Sequence, residues 1–464
     1  MLSKTKIVVS FLVIGFLVVL SGCGKKNSGY KLNLEVWGVF DDSNDYAEIF
    51  SKYKEVNKFI GEIKYRKFTI DTYKDDLLNA LASGQGPDIF MIQNSWLPSF
   101  EDKLEPAPDF ILGEQEFRSN FVDVAADDFL SEGKPYAAPL SVDSLALFYN
   151  KDLLNAEGIS APPRTWDEFE SGVQLLKRID ANGNITQAGA ALGTAGNINR
   201  STDILCLLML QNGARMNDEE KKLVTFDEGV TVEGKSTRAG ENAWDFYTDF
   251  ARISSPVYTW NSQMHYSIDS FFEGTAAMML NYSYTIETVR SKNSKLNFAI
   301  APVPQFAGTK PVNYANYWGF AVAKNKVAVE DEINKTPPVS NEVRIREAWE
   351  LIKNLTVKNE EKITLTNMVS GTKKTFAFKY DPAEKYLEET KKPAARRDII
   401  EKQKTDPTLG PFAYGNLIAK SWVESNPDQI EVILSEAINS INKGNITVSE
   451  ALKLAVSRIN QLAK

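Results

Sequence analysis

The order of strand-like and helix-like segments near the start of the chain is the feature that most restricts its fold. Segment 31–40, KLNLEVWGVF, alternates apolar and polar residues and is rich in strand formers. Further strands are predicted at 62–70 and at 87–92, and a helical pattern separates each strand from the next. A β-α-β-α-β order of this kind predicts an α/β fold with parallel strands.

The ends of these strands are where a ligand is expected. In open α/β sheets, ligands bind beyond the carboxyl ends of the strands. That rule points to the loops that follow Val36, Ile92 and Leu140. The loops contain aromatic, amide and acidic side chains together: Trp37, Asp41, Asn94, Ser95, Trp96 and Asp143.

Length and composition indicate a globular protein with more than one core. The chain has 464 residues, of which 43% are apolar and 25% are charged. Single hydrophobic cores stop growing at ~250–300 residues. We therefore expect two α/β lobes, each with a mixed sheet flanked by helices.

The first thirty residues have the pattern of an export signal. Lys4 and Lys6 precede an apolar run over 7–20, which is too short for the ~20 residues of a membrane span. The run ends in Leu-Ser-Gly-Cys at Cys23, which resembles a bacterial lipoprotein signal. We expect a signal peptide over 1–22, a lipid on Cys23 and a flexible tether over 23–30. An uncleaved membrane anchor, or an ordinary signal with a chance cysteine, is the alternative.

Charge and cysteine usage argue against several classes of protein. The formal net charge is -8, and removal of Lys4 and Lys6 with the signal makes it -10. A nucleic-acid-binding protein would need a basic face, and nothing in the sequence predicts one. Cys206 lies in an apolar stretch, so no disulfide framework is expected.

The chain is poor in catalytic and metal-binding groups. Its single histidine, His265, makes a multi-histidine zinc site or a Ser-His-Asp triad a weak hypothesis. Segment 180–189 has alternating Asp180, Asn182 and Asn184, but it lacks the glycine and glutamate of a calcium loop, so a tight turn is the better interpretation. No metal and no cofactor are expected.

Five motifs, in order along the chain, resemble one family. They are GQGPDIFMI, EGKPYAAPLSVDSLALFYNKDLL, PPRTWDEF, FFEGTAAMML and NFAIAPVPQ. They resemble the family 1 extracellular solute-binding proteins of ABC importers, which are maltose-binding-protein-like. The resemblance implies a type II periplasmic-binding-protein-like fold, with two lobes joined by a hinge. The lobes would be 30–140 plus 300–360, and 141–299 plus 361–464.

The resemblance also implies a ligand in the cleft between the lobes. Matching the family's pattern, Asp41 or Asp42, together with Asn94, Ser95, Asp143 and Tyr284, is carried over as a contact. The family's maltose-binding relative has a tryptophan at the end of its PDI strand, where this chain has Ile92, so maltodextrin itself is not implied. With the aromatic and amide residues at other strand ends, the candidate ligand-binding residues are Trp37, Asp41, Asn94, Ser95, Trp96, Asp143, Asn199, Trp260, Tyr284, Tyr317, Trp318 and Trp422.

Other aromatic and basic residues are interpreted structurally. Trp166, Trp244 and Trp349 fit the core faces of helices. The basic segment KKPAARRD, 391–398, is interpreted as a solvated segment rather than an anion site, although Arg396 or Arg397 could reach the cleft mouth.

Aromatic rings and amides with few acids favour a neutral, hydroxylated solute such as a sugar or oligosaccharide. The chain would be a monomer, lipid-anchored on the extracytoplasmic face of the membrane, and would deliver its solute to an ABC permease. The alternatives are the same fold with a peptide, polyamine or metal-complex ligand, a secreted glycoside hydrolase with two catalytic carboxylates, and a purely structural lipoprotein.

Overall fold

The structure, a computed structural model, describes residues 31–218, 223–232, 234–327, 339–358, 362–366, 371, 373–377, 380–424 and 426–462. The predicted signal peptide, the tether and Cys23 lie outside these residues. Among the described helices, none combines the length and apolar character that a membrane crossing requires.

The first part of the chain alternates strands and helices. It contains β1 (Leu32–Gly38), α1 (Ser43–Val56), β2 (Ile60–Lys67), α2 (Ile70–Ala82), β3 (Ile89–Gln93), α3 (Leu97–Phe100), α4 (Glu114–Asn120), α5 (Asp123–Phe129), β4 (Leu130–Ser131), β5 (Lys134–Pro135) and β6 (Ala137–Ala138). Short 3₁₀ turns occupy Asn94–Trp96 and Glu101–Lys103.

The middle part is mixed and contains several short hairpins. Its elements are β7 (Ala146–Asn150), α6 (Lys151–Ala156), α7 (Trp166–Leu176), β8 (Arg178–Ile179), β9 (Ile185–Gln187), α8 (Ser201–Gln211), β10 (Asn217–Asp218), β11 (Leu223–Val224), β12 (Val230–Val232), β13 (Lys235–Thr237), α9 (Ala239–Asp249), α10 (Ser267–Phe272), β14 (Met278–Asn281), α11 (Thr285–Lys292), β15 (Phe298–Pro302) and β16 (Asn313–Tyr314).

The last part is mostly helical. It contains β17 (Trp318–Val322), α12 (Asn341–Thr356), β18 (Lys362–Thr366), β19 (Lys373–Ala377), α13 (Pro382–Thr390), α14 (Arg397–Gln403), α15 (Gly410–Leu417), β20 (Ala419–Lys420), α16 (Pro427–Asn442) and α17 (Val448–Leu462).

The larger sheet carries the predicted parallel strands. Its order is β2-β1-β3-β17-β6, in which β1 pairs in parallel with β2 and β3 while β17 runs antiparallel to β3 and β6. Trp318, the first residue of β17, pairs with Gln93, the last residue of β3. The strand β17 therefore brings a residue from late in the chain to the carboxyl edge of this sheet.

A second sheet of three antiparallel strands, β14-β7-β15, belongs to the middle part of the chain. Its central strand, β7, lies within segment 133–154, which the strand-like pattern of the sequence covers. Helix α7 begins after Thr165, the N-cap residue, whose hydroxyl accepts the Glu168 N–H at 3.2 Å.

Buried apolar residues form two separate clusters, which we call lobe I and lobe II. The lobe I cluster draws on 34–142, 315–323, 348–357 and 383–400, with Ala413 and Ala419. The lobe II cluster draws on 145–303 and 430–459, with Tyr314, Phe412 and Trp422. The predicted α/β class with two lobes is confirmed. The packing differs from the predicted boundaries chiefly because 300–303 and Tyr314 pack in lobe II, whereas 383–400, Ala413 and Ala419 pack in lobe I.

The described chain passes between the clusters at 142–145, 314–315 and 400–422, which we call the crossing segments. Buried amides join them: Asn313 donates to the Leu145 carbonyl at 2.8 Å, and Asn416 donates to the Val142 carbonyl at 2.6 Å. A Cβ on Gly415 would lie 2.5 Å from the Ser144 Oγ, so only glycine allows this close approach. The hinge is therefore formed by three crossing segments that pack tightly against one another.

The three tryptophans predicted to be core residues are buried. Trp166, Trp244 and Trp349 are at most 1% exposed, and the Trp244 indole donates to the Met209 sulfur at 3.3 Å.

Candidate binding cleft

A cleft of about 1280 Å³ receives side chains from both lobes and from the crossing segments. Lobe I contributes the loops after β1 and β3 and the start of β17. Lobe II contributes the loop after β14 and the start of α8. The cleft thus lies at the carboxyl ends of strands in both sheets, which is where open α/β sheets bind ligands.

The lobe I wall is aromatic. Trp318 lies half-buried between Trp96 and Phe40, whose ring centroids are 4.9 Å and 5.4 Å from its own in edge-to-face contacts. Trp96 in turn stacks on Phe100 at 5.3 Å, inside the lobe I core. Phe40 is 49% exposed, so part of this packed group of rings faces the cleft. Such a surface can take the C–H face of a sugar ring.

The lobe II wall is aromatic and polar. Tyr284 is 49% exposed, and its hydroxyl donates to the Asn199 Oδ1 at 2.6 Å. Its ring stacks on Tyr282 at 6.3 Å, and the Tyr282 hydroxyl donates to Asp203 at 2.7 Å. Partial desolvation in the cleft raises the pKa of Tyr284, and the charge of Arg200 opposes that shift. Arg200 lies beside it in the cleft lining.

Asp143, in the first crossing segment, is held by lobe II. Its carboxylate accepts the Ser283 N–H at 2.9 Å and the Ser283 hydroxyl at 2.7 Å. Burial raises the pKa of Asp143 to about 7, although these hydrogen bonds oppose the shift. The carboxyl is therefore a group at the hinge that changes charge near neutral pH.

A chain of hydrogen bonds leads from lobe I to lobe II across the cleft floor. The Gln93 amide donates to the Asn316 Oδ1 at 2.9 Å, and the Asn316 amide donates to Asp203 at 3.3 Å. Gln93 and Asn316 both line the cleft. Amides in such a position can exchange hydrogen bonds with ligand hydroxyls.

Asp41 acts from behind the lining. It is 4% exposed and accepts the hydroxyls of Tyr46 and Tyr386, each at 2.8 Å. It also forms an ion pair with Lys392. Tyr386 and Lys392 line the cleft, so Asp41 positions two lining side chains.

Charges of both signs line the cleft. The acidic residues are Asp71, Asp75, Asp143, Glu287, Glu389, Asp406 and Asp428, and the basic residues are Lys74, Arg200, Arg290, Lys391 and Lys392. The carboxylates outnumber the two or so that the sequence led us to expect. Because cations are interspersed among them, the lining has no strong field of one sign.

Five of the twelve predicted ligand-binding residues line the cleft. They are Trp96, Asp143, Tyr284, Tyr317 and Trp318. Tyr317 borders it with its hydroxyl turned away, toward Asp128 at 2.7 Å. Asn199 and Asp41 do not line the cleft but contact residues that do. Asn199 accepts the Tyr284 hydroxyl, and Asp41 forms an ion pair with Lys392.

The structure places three predicted tryptophans away from the cleft lining. Trp37 is 6% exposed and its ring packs on Phe68 at 4.3 Å. Trp260 is fully buried in lobe II, and Trp422 packs edge-on against Phe226 at 5.6 Å. All three rings meet apolar partners from other segments, and that packing removes them from the ligand surface.

Two polar residues after β3 are also outside the lining. Asn94 is 3% exposed and donates to Asp128 at 2.9 Å, which makes it part of a buried network. Ser95 is half-buried, and its hydroxyl oxygen is buried without a hydrogen-bond partner among the described residues.

Several lining residues were not among the sequence predictions. Phe40 directly precedes Asp41 and Arg200 directly follows Asn199, so both were adjacent to predicted positions. Lys391 and Lys392 had no such signal, because 391–398 was interpreted as a solvated segment. That interpretation is corrected: Lys391 and Lys392 line the cleft, and Arg396 is 1% exposed in ion pairs with Asp381 and Asp398.

Segment 180–189 and His265, which the sequence did not predict to be metal or catalytic sites, have structural roles. Asp180 accepts the N–H groups of Asn182 and Asn184, each at 2.8 Å, which closes the turn between β8 and β9. His265 is exposed and pairs with Glu273 at 2.9 Å. Among the described residues, no group of three or more His, Cys, Asp or Glu is arranged to hold a metal ion.

Comparison with known proteins agrees with this geometry. A maltotriose-binding protein from Pyrococcus abyssi is 28% identical over 237 residues, which is 50% of this chain and 46% of that protein. An arabinooligosaccharide-binding protein from Bacillus subtilis is 25% identical over 289 residues, which is 59% of this chain and 62% of that protein. The chain thus spans about half the length of the curated relatives it matches.

Solved structures match over nearly the whole chain. The crystal structure of a cyclic alpha-maltosyl-1,6-maltose binding protein from Arthrobacter globiformis has a TM-score of 0.68 and 16% sequence identity, and the match covers 93% of this chain and 98% of that one. At this identity the likeness concerns the fold, and it confirms the predicted type II architecture.

The family model for bacterial extracellular solute-binding proteins matches residues 46–360, which is more than half of the chain. This family comprises binding proteins rather than enzymes. The chain therefore belongs to the bacterial extracellular solute-binding proteins.

Proposed function

We propose that the protein binds a sugar or oligosaccharide between its two lobes and delivers it to an ABC importer. The observation that carries the proposal is the pair of aromatic surfaces, Trp318 with Phe40 and Tyr284 with Tyr282, that line one cleft from separate lobes. Closure of the lobes would bring both surfaces onto one ligand. The named relatives bind maltotriose and arabino-oligosaccharides, which supports a saccharide ligand here.

The size and charge of the cleft support a neutral oligomer. Its volume of about 1280 Å³ exceeds the ~300–1,000 Å³ of typical small-molecule sites. A polyamine would require several carboxylates without competing cations, whereas five basic side chains line this cleft.

A thermal-shift screen tests the ligand class. Maltotriose, an arabino-oligosaccharide, spermidine and a tripeptide would each be added at saturating concentration. A ligand at ~100 times its Kd adds about 2.7 kcal/mol of stability, so the melting temperature should rise with a saccharide alone. A rise with spermidine or peptide and none with any saccharide would replace the proposal.

We further propose that a lipid on Cys23 anchors the protein to the extracytoplasmic face of the membrane, where it works as a monomer with its permease. The support is the Leu-Ser-Gly-Cys sequence after an apolar run. Cys23→Ala should free the protein from the membrane fraction. A variant that stays bound after carbonate and salt washes would mean that 7–20 is an uncleaved span.

A further inference from the structure

An ion pair joins the two lobes at a place outside the crossing segments. The Lys74 Nζ of α2 lies 2.7 Å from the Asp428 Oδ2 of α16, and both residues line the cleft. Tyr73 and Leu77 seat α2 in the lobe I core, and Ile430 seats α16 in the lobe II core. The pair thus connects two helices that belong to different lobes.

The two partners are held in place to different degrees. Lys74 keeps 31% of its side chain exposed, and its ammonium lies 5.2 Å from the Trp96 ring centroid, so an aromatic face helps to position it. Asp428 is 72% exposed at the start of α16, directly after Pro427. The ion pair is therefore accessible to salt.

Among the described residues, the other polar contacts between the lobes involve the crossing segments or their neighbours; one of them is the hydrogen bond from Arg290 of α11 to Thr408 at 3.4 Å. Gln93 with Asn316, and Asp143 with Ser283, each include a residue in or next to a crossing segment. Within the described part of the chain, the remaining ion pairs lie inside one lobe, join Lys404 to Glu401 inside the third crossing segment, or include another lysine of that segment, such as Lys420. A hinge rotation displaces atoms in proportion to their distance from the axis, so contacts at the hinge change least.

We propose that Lys74 and Asp428 form a closure contact, which biases the solute-free protein toward closed lobes. An opening of a few ångströms separates the charges beyond the ~4 Å of an ion pair. The inference rests on the lobe movement of the proposed function. The contribution of an exposed pair corresponds to a change of about two- to fivefold in the closed-to-open ratio.

Distance measurement by electron spin resonance tests this without any solute. Labels at Asn79→Cys on α2 and Asn439→Cys on α16 would report the separation of the same two helices, in a full-length Cys23→Ala chain. Cys206 is buried and should not react. Lys74→Glu, Lys74→Gln and Asp428→Lys should each lower the closed-to-open ratio about two- to fivefold, and the double reversal Lys74→Glu/Asp428→Lys should restore it. An unchanged distribution in the single variants, or a double reversal without recovery, would overturn the proposal.

A matched ion pair inside lobe II serves as the control. Arg458 of α17 and Glu436 of α16 are paired at 2.6 Å, and reversing them should leave the distances unchanged. Raising salt from about 0.01 M to about 1 M should lower the closed fraction of the natural chain and have no effect on Lys74→Gln. Because no solute is present in this experiment, a negative result would not bear on the saccharide proposal, which the thermal-shift screen tests separately.

Discussion

The lobe I wall and the lobe II wall of the cleft both present aromatic rings, but they hold those rings differently. Trp318 is half-buried and packs on Trp96, which stacks further into the lobe I core. Tyr284 is half-exposed, and its hydroxyl is bonded to Asn199. Packing sets one wall and hydrogen bonding sets the other, so the same kind of substitution should have different consequences on the two sides.

The largest effect is expected in a core ring that reaches neither wall. Trp244 is fully buried in lobe II, so Trp244→Ala should cost about 3–5 kcal/mol of the free energy of unfolding, through lost burial and a cavity. Chemical unfolding measures it. Affinity of the folded variant for a saccharide should be retained, and a specific loss of affinity would mean that the core of lobe II is coupled to the cleft.

On the lobe I wall, Trp318→Ala should reduce both affinity and stability. Binding should weaken by roughly 1–3 kcal/mol, the scale of an interface anchor. The free energy of unfolding should decrease by less than in Trp244→Ala, because the Trp318 ring is only half-buried. Calorimetric titration beside unfolding curves separates the two. Trp318→Phe is the control that keeps an aromatic surface. Full affinity in Trp318→Ala would show that the Trp318 ring of the lobe I wall does not bind the ligand.

The hinge carboxyl should make stability depend on pH. The pKa of Asp143 is raised from 3.8 to about 7 in the folded protein, so the folded state binds more protons than the unfolded state over that range. Its contribution to stability is present below pH 4 and is lost as pH rises to about 7, by roughly 1–2 kcal/mol after allowance for partial exposure.

Asp143→Asn should remove this part of the pH dependence, which unfolding curves between pH 4 and 8 would measure. Asp128→Asn is the comparison. Burial raises the pKa of Asp128 to about 6, so the stability contributed by Asp128 should already be lost at a lower pH than that contributed by Asp143. An identical pH profile in the natural chain and in Asp143→Asn would contradict the assignment.

The smallest effect concerns one hydroxyl on the lobe II wall. Tyr284→Phe keeps the ring and loses the 2.6 Å bond to Asn199, so affinity should fall by about 0.5–1.5 kcal/mol with little change in stability. Tyr284→Ala should cost more affinity and still little stability, unlike Trp318→Ala. Equal stability losses at both positions would erase the difference between the walls.

Local pattern predicted the fold better than the site. Period-two and helical patterns placed β1, α1, β2, α2 and β3 in order, because each depends on neighbouring residues. The lobe boundaries depend on which core a distant segment joins. Segment 383–400 packs in lobe I, although it follows the last predicted segment of that lobe.

Cleft-lining residues were predicted where the end of a strand alone places them, and they were not predicted where contacts with distant segments place them. Trp96 and Tyr284 follow strands and line the cleft. Trp422 was predicted together with them, but Phe226 and Asn217, some 200 positions away, bury it. Lys392 reaches the cleft because Asp41, 351 positions earlier, holds it there. Such pairings are properties of the folded chain and leave no local signal.

The central claim is that one solute is held between the two walls. The most direct measurement is a crystal structure of the protein with the saccharide that raises its melting temperature most. The account predicts density in the cleft with a sugar face on Trp318 and a second contact to Tyr284. Density outside the cleft, or contact with one wall alone in closed lobes, would contradict it.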